Sequence, residues 1–347
     1  METINGTSAE EENLCNAANQ LVKDFLFARV PVFVQLTALR EKGWRNPLGD
    51  QYFEQQRERA DKANHEQQRN FFNMMQQIAN EMNSATGFLS ELNRKEEPQK
   101  LLDLCMAPGG FSAAVQRSCP KTELYGISLP ESKGGYKLLI KIPKDRVWFT
   151  DITMLSSEMG AIEIPSDHPD SANFSHFRPF IAQAFDLVIC DGQVLRNHPR
   201  KSYREQLEAS RLALSQLVFA LQRIKAGGTL VMLLHKLESL DTLELLYKVS
   251  KFSKIQLFKP KKKHSKRSSF YLVAKEVDPH SQFTLLTLKS WKEAWSSATF
   301  EFCRDYEPSA EVVQNILAEF GEEFIQLGQP VWSIQARALG KAEFCKE

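Results

Sequence analysis

The stretch Asp103-Leu104-Cys105-Met106-Ala107-Pro108-Gly109-Gly110-Phe111-Ser112 constrains the fold of this chain more than any other. It follows Leu101-Leu102 and runs into Ala113-Ala114-Val115, so an apolar strand leads through a glycine turn into a helix. Adjacent glycines let the backbone turn sharply and approach a ligand where a Cβ would collide. Ser112 is expected to cap the helix. Such a turn belongs at the carboxyl end of a parallel strand, where an open α/β sheet binds nucleotide-like ligands. It is neither the dinucleotide G-x-G-x-x-G pattern nor a P-loop, because no Gly-Lys-Ser/Thr follows.

Around this turn the apolar pattern alternates between short strands and helices. Strands are expected over Leu101–Met106, Glu123–Leu129, Arg146–Ile152, Phe185–Cys190, Thr229–His235, Lys254–Phe258 and Ser269–Ala274. The alternation predicts a mostly parallel sheet with crossover helices. Tyr203–Lys225 reads as a long amphipathic helix stopped by Gly227-Gly228, and Leu237–Phe252 as a second helix. Ala161–Pro179, rich in Pro, Ser, Asp and His, reads as an irregular insertion. Residues 10–95 and 288–347 carry helical spacing. The expected organisation is a helical extension over 1–95, a catalytic domain over 96–280 and a second helical extension over 281–347.

Bulk properties narrow the function. The formal net charge of +1 gives no global pull toward nucleic acid, so any such pull is local. Cys15, Cys105, Cys119, Cys190, Cys303 and Cys345 are scattered with no C-x-x-C pair. This argues against a disulfide framework and for an intracellular protein, cytoplasmic or nuclear. The acidic segment Glu10-Glu11-Glu12 is unlike a targeting signal, and Phe25–Leu36, the longest apolar candidate, is broken by Arg29 and Pro31. No membrane partner is expected. The histidines show no metal-ligand spacing, so no metal is expected.

Two basic segments stand out. Lys259-Pro260-Lys261-Lys262-Lys263-His264-Ser265-Lys266-Arg267 lies between the last two strands. A run of this density neutralises phosphates, which makes Lys261, Lys262, Lys263, Lys266 and Arg267 candidates for RNA contact. Arg196, His198, Arg200, Lys201 and Arg204 form a second cluster after the fourth strand, with Arg196 the RNA candidate.

Asp-Leu-x-x-Ala-Pro-Gly-Gly-Phe-Ser, at residues 103–112, resembles the first motif of the FtsJ-like (RrmJ-like) methyltransferases. The resemblance extends over about residues 70 to 276 and is greatest to divergent fungal FtsJ-domain proteins. It implies a Rossmann-like fold: a mostly parallel, seven-stranded sheet with helices on both faces. It also implies S-adenosylmethionine as cofactor, RNA as partner and a ribose 2′-hydroxyl as acceptor. Asp103, Ala107, Pro108, Gly109, Gly110 and Phe111 then form the cofactor turn. Ser128 stands where relatives carry a ribose-binding acid, with Glu131 nearby, and Asp151 matches the acid that contacts adenine; its alternative is a helix N-cap.

The family transfers its methyl group with a Lys-Asp-Lys-Glu tetrad. Asp191 matches the aspartate and Lys236 the second lysine, so these are the candidate catalytic pair. Asn73 stands in place of the first lysine and Phe270 in place of the glutamate, with Lys62 a candidate to restore the missing charge. A lysine is a base only when neutral. With its partner lysine gone, transfer is expected to be slow or to rise with pH. The incomplete tetrad leaves two further readings open: an inactive FtsJ fold that binds RNA or protein, and a methyltransferase for a non-RNA substrate.

Overall fold

The computed structural model describes residues 9–61, 64–90, 92, 97–195, 198–303 and 308–346. Four helices come first: α1 (Ala9–Arg29), α2 (Pro31–Arg45), α3 (Pro47–Asp61) and α4 (His65–Thr86). Pro31 opens α2, where a missing N–H costs nothing. Asn64 and Gln67 close a reciprocal capping box on α4, and Gly87 ends that helix in the left-handed conformation.

The sheet follows. Strands β1 (Lys100–Leu104), β2 (Glu123–Ser128), β3 (Val147–Phe149), β4 (Phe185–Cys190), β5 (Ile224–His235), β6 (Lys254–Phe258) and β7 (Ser269–Val277) lie in the order β3-β2-β1-β4-β5-β7-β6. All neighbours are parallel except β7, which runs antiparallel to β5 and β6. This is the expected α/β methyltransferase sheet, with its switch point between β1 and β4. Helices α5 (Gly110–Ser118), α6 (Glu208–Arg223) and α7 (Leu240–Ser250) make the crossovers. α8 (Gln282–Ser296), a π-turn (Ser297–Glu301) and α9 (Ala310–Gly340) complete the chain.

Alternation along the strands divides the core in two. Leu102, Leu104, Val188 and Cys190 face one apolar cluster with α6, α7 and α9. Leu101, Leu187, Ile189 and Val231 face the other, with α4 and α5. α9 packs along α2 and α1, so the amino- and carboxyl-terminal helices share one layer. α6 stops at Arg223, and Gly227-Gly228 lie inside β5, where the register against β7 shifts between Gly228 and Leu230. A glycine pair after a helical pattern reads as a helix stop; here it marks a bulge instead.

Candidate active site

A cleft of about 630 Å³ opens beyond the carboxyl ends of β1, β2, β3 and β4 and extends to the basic turn before β7. β1 and β2 contribute Cys105, Ala107, Ile127 and Ser128, β3 leads to Asp151, and β4 leads to Asp191 and Gln193. The pairing of Leu104 with Cys190 sets the β1 and β4 ends side by side. α3 and α4 form the opposite wall through Tyr52, Asn70, Phe71 and Met74. Spacing of i, i+1 and i+4 puts Asn70, Phe71 and Met74 on one face of α4.

The glycine turn does a different job from the one expected. A Cβ on Gly110 would lie 2.4 Å from the Phe72 carbonyl oxygen and 2.6 Å from the Met75 Cβ. Gly109, with φ at 95°, would meet Ile140 and Leu138 at 3.1 and 3.2 Å. The glycines therefore admit α4 and the segment after β2, and neither they, Pro108 nor Phe111 lines the cleft. Phe111 is fully buried with its ring edge-on to Tyr271. Of the turn, Ala107 is the predicted cofactor residue that reaches the cleft.

Asp103 likewise lies outside the cleft lining. It is buried beneath the turn, and its Oδ2 accepts the Ser112 hydroxyl proton at 2.6 Å. Burial pushes its carboxyl up to about 7, against the opposing pull of Ser112. Ser112 is thus no helix cap; Gly109 holds that position.

Ser128 and Asp151 line the cleft. The Ser128 hydroxyl accepts the Ala107 N–H at 3.2 Å and keeps its own proton to donate. Glu131 is exposed and outside the lining, while Lys133 lines it. Asp151 does cap a short 3-10 turn, accepting from the Thr153 amide and hydroxyl at 3.0 and 2.7 Å. Its other oxygen accepts from Arg204 at 3.0 Å. Burial pushes this carboxyl up, but Arg204 and the Thr153 bonds outweigh it and hold the group below the usual range.

Asp191 is in the opposite electrostatic state. Burial, with Asp103 close by, pushes its carboxyl up to about 8, and a hydrogen bond from the Tyr271 hydroxyl at 3.2 Å pulls only weakly the other way. A partly buried aspartate with a raised pKa at a strand end in a cleft is a candidate functional group.

The other tetrad positions depart further from expectation. Lys236 is exposed in a turn with φ at 48° and lies outside the cleft lining. The β5 residues that face the cleft are Leu233 and His235, two apart as strand alternation requires. Asn73 is exposed, with Asn70 in the cleft instead, and Phe270 is buried in the core while Ser269 and Tyr271 face inward. Lys62 lies outside the described residues, as does Arg196. Lys236→Ala is therefore expected to keep transfer within about threefold of wild type in a steady-state assay.

The basic turn divides by role. Lys262, Lys263 and Arg267 line the cleft with His264. Lys261 does not; its amide donates to Glu81 at 2.8 Å. The Lys266 ammonium lies over Tyr52, 4.6 Å from the ring centre, and near Phe344, so it ties the turn to the terminal helices. Lys259 is buried and donates to the carbonyls of His264, Arg267 and Ser269 at 3.3, 2.7 and 2.8 Å. Three ammonium protons thus fix the turn from inside. Lys259→Met is expected to cost about 2 kcal/mol in denaturant unfolding, because these buried carbonyls lose their donor. On the second cluster, His198, Arg200 and Arg204 reach the cleft, and Arg204 is committed to Glu208 and Asp151.

The chain matches the FtsJ-like methyltransferase family over residues 79–277. It belongs to that family. Membership makes it a methyltransferase with S-adenosylmethionine as donor. Solved structures with a similar fold include a ribosomal RNA methyltransferase from Plasmodium falciparum, 19% identical, covering 58% of this chain and 96% of that one with a TM-score of 0.35. An rRNA methylase from Streptococcus thermophilus is 12% identical and covers 57% and 96%, with a TM-score of 0.33. Human methyltransferase-like protein 13 in complex with SAH is 14% identical and covers 66% and 94%, with a TM-score of 0.33. No curated protein matches the chain. Among the described residues no helix is long and apolar enough to cross a membrane, and no cluster of His, Cys, Asp or Glu could hold a metal ion.

The cleft fits the donor of this FtsJ-like protein. Its lining combines the apolar side chains of Ile127 and Ile152 with the polar groups of Ser128, Asp151 and Asp191, the mix that a nucleoside-bearing cation needs.

Proposed function

We propose that this protein methylates a ribose 2′-hydroxyl of RNA. The observation that carries the reading is continuity: one cleft joins Ser128, Asp151 and Asp191 to Lys262, Lys263 and Arg267. A phosphate chain held on the basic turn lies along the same hollow as the donor site. S-adenosylmethionine supplies a methyl group activated by its sulfonium. The chain's own residues position the acceptor oxygen, since in-line displacement is governed by orientation. Tyr271 holds Asp191, and α3 and α4 wall off the acceptor side with Tyr52, Phe71 and Met74. We take residues 1–95 and 281–347 as helical extensions of a catalytic domain over 96–280, the first contributing that wall.

Asp191 ties donor binding to pH. With its carboxyl near 8, the apo protein at pH 7 holds a proton there. A sulfonium favours the carboxylate, so binding expels the proton, and donor affinity is expected to rise about tenfold per pH unit up to roughly 8 and then level. S-adenosylhomocysteine, a neutral thioether, should show no such slope. Calorimetric titration of both ligands between pH 6 and 9 checks this; equal pH profiles would contradict the placement of the cation beside Asp191.

A second reading is favoured by the position of Lys236 outside the cleft, which leaves Asp191 as the tetrad's acid without its lysine. On that reading the fold binds donor and RNA without transfer. A methyl-transfer assay with capped and uncapped RNA separates the two: the first reading expects labelled RNA, the second bound ligands and none.

A further inference from the structure

His235 ends β5 and lines the cleft, which Lys236, one residue later, does not. Its Nε2 lies 3.0 Å from the side-chain amide of Gln193, which lines the same cleft two residues after Asp191. An amide N–H donates and cannot accept, so Nε2 carries the lone pair and the imidazole is neutral with its proton on Nδ1. The Gln193 N–H therefore occupies the place where a substrate O–H would donate.

Resting on the RNA 2′-hydroxyl reading above, we propose that His235 accepts the proton of the hydroxyl being methylated, and that phosphate seated on Arg267 strengthens it as a base. The hydroxyl displaces the Gln193 amide from Nε2. As its oxygen forms the new bond to the methyl carbon, the carbon–sulfur bond breaks, its electron pair stays on sulfur as a neutral thioether, and the hydroxyl proton passes to Nε2. The imidazolium then returns that proton to water.

The surroundings of His235 explain the coupling to phosphate. His235 keeps an exposed edge; desolvation of the rest of the ring, then Arg267, Lys259 and Lys236, push the imidazole below its ordinary range. His264 is a further neighbour, itself pushed down to about 3 by burial and then by Arg267, Lys259 and His235. From the β4 side the facing group is Gln193, which is uncharged. A base held this low is neutral at pH 7 but weak. Phosphates on Lys262, Lys263 and Arg267 offset the cations nearby and return the imidazole toward its ordinary range. Proton removal is then efficient only with a polyanion in place.

The test uses the full chain with S-adenosylhomocysteine bound and the imidazole nitrogens followed by NMR, with His235→Gln assigning the signal. The His235 titration midpoint is expected to rise by at least about one pH unit when a single-stranded RNA dodecamer is added, and Arg267→Gln to produce part of that rise without RNA. A midpoint that RNA and Arg267→Gln both leave in place overturns the coupling. In transfer assays, His235→Gln is expected to lower turnover by about 10²-fold or more with RNA affinity kept, and to remove the rising limb of the pH–rate profile. His235→Lys should restore part of the rate at alkaline pH. Active wild type with an equally active His235→Gln variant sinks this role alone, whereas wild type that labels no RNA at any pH sinks the proposed function and this role together.

Discussion

Asp191→Asn is expected to lower methyl transfer on the order of 10³-fold while making the folded protein more stable. The two effects share one cause. Burial and Asp103 hold the Asp191 carboxyl up at about 8, against 3.8 for an ordinary aspartate. Below pH 3.8 the group is protonated in both folded and unfolded chains and costs nothing. As pH rises from there, the unfolded chain ionises and the folded one does not, so stability is lost until about pH 8, where the folded carboxyl ionises as well. Asparagine keeps the shape and can still accept from Tyr271, but carries no charge. Its advantage in thermal midpoint should grow between pH 4 and 8 and then level, reaching on the order of 2–5 °C. Scanning calorimetry across that range, beside transfer assays on the same samples, reads both halves. A variant that is less stable at pH 8, or that still turns over at the wild-type rate, contradicts a functional carboxylate held at a folding cost.

The second large effect concerns the basic turn. Replacing Lys262, Lys263 and Arg267 together by Gln is expected to weaken RNA binding on the order of 10²-fold and to flatten the slope of log affinity against log salt by about 2. These cations line the cleft, whereas Lys259 serves as the turn's internal clamp and Lys266 packs on Tyr52. Lys261→Gln should accordingly change the slope little. Fluorescence anisotropy with a short RNA over a salt series distinguishes these outcomes. An unchanged slope in the triple variant would place the RNA elsewhere. Because none of the three side chains is assigned to the donor, calorimetric donor binding should be kept in the triple variant, which separates acceptor loss from unfolding.

The sheet is legible in the sequence because its strands are short apolar runs that end in chemically distinct residues. Asp151, Asp191 and Ser128 close such runs and do reach the cleft. What is not legible depends on contacts distant in sequence. The glycine turn reads as a ligand cradle, yet α4 and the segment after β2 close over Gly110 and Gly109. Nothing near residue 110 announces Phe72 or Ile140. Asp103 reads as a cofactor acid for the same reason, though Ser112 consumes one of its oxygens beneath the turn. At β5 the difference is one of register, and a signal for it exists. Period-2 alternation from the buried Val231 puts Leu233 and His235 on the cleft side and leaves Lys236 off it. Arg204 reads as one member of a basic cluster, but it is held by Glu208 and Asp151 across the fold.

Donor-labelled methyl transfer to RNA, followed by alkaline hydrolysis, tests the central claim most directly. A 2′-O-methyl group removes the hydroxyl that alkali uses to cleave the adjacent phosphodiester. Label from the wild-type protein should therefore stay in an alkali-resistant dinucleotide, and Asp191→Asn should leave none there. Label recovered in ordinary mononucleotides, or none in RNA while the donor binds tightly, would contradict ribose methylation by this cleft.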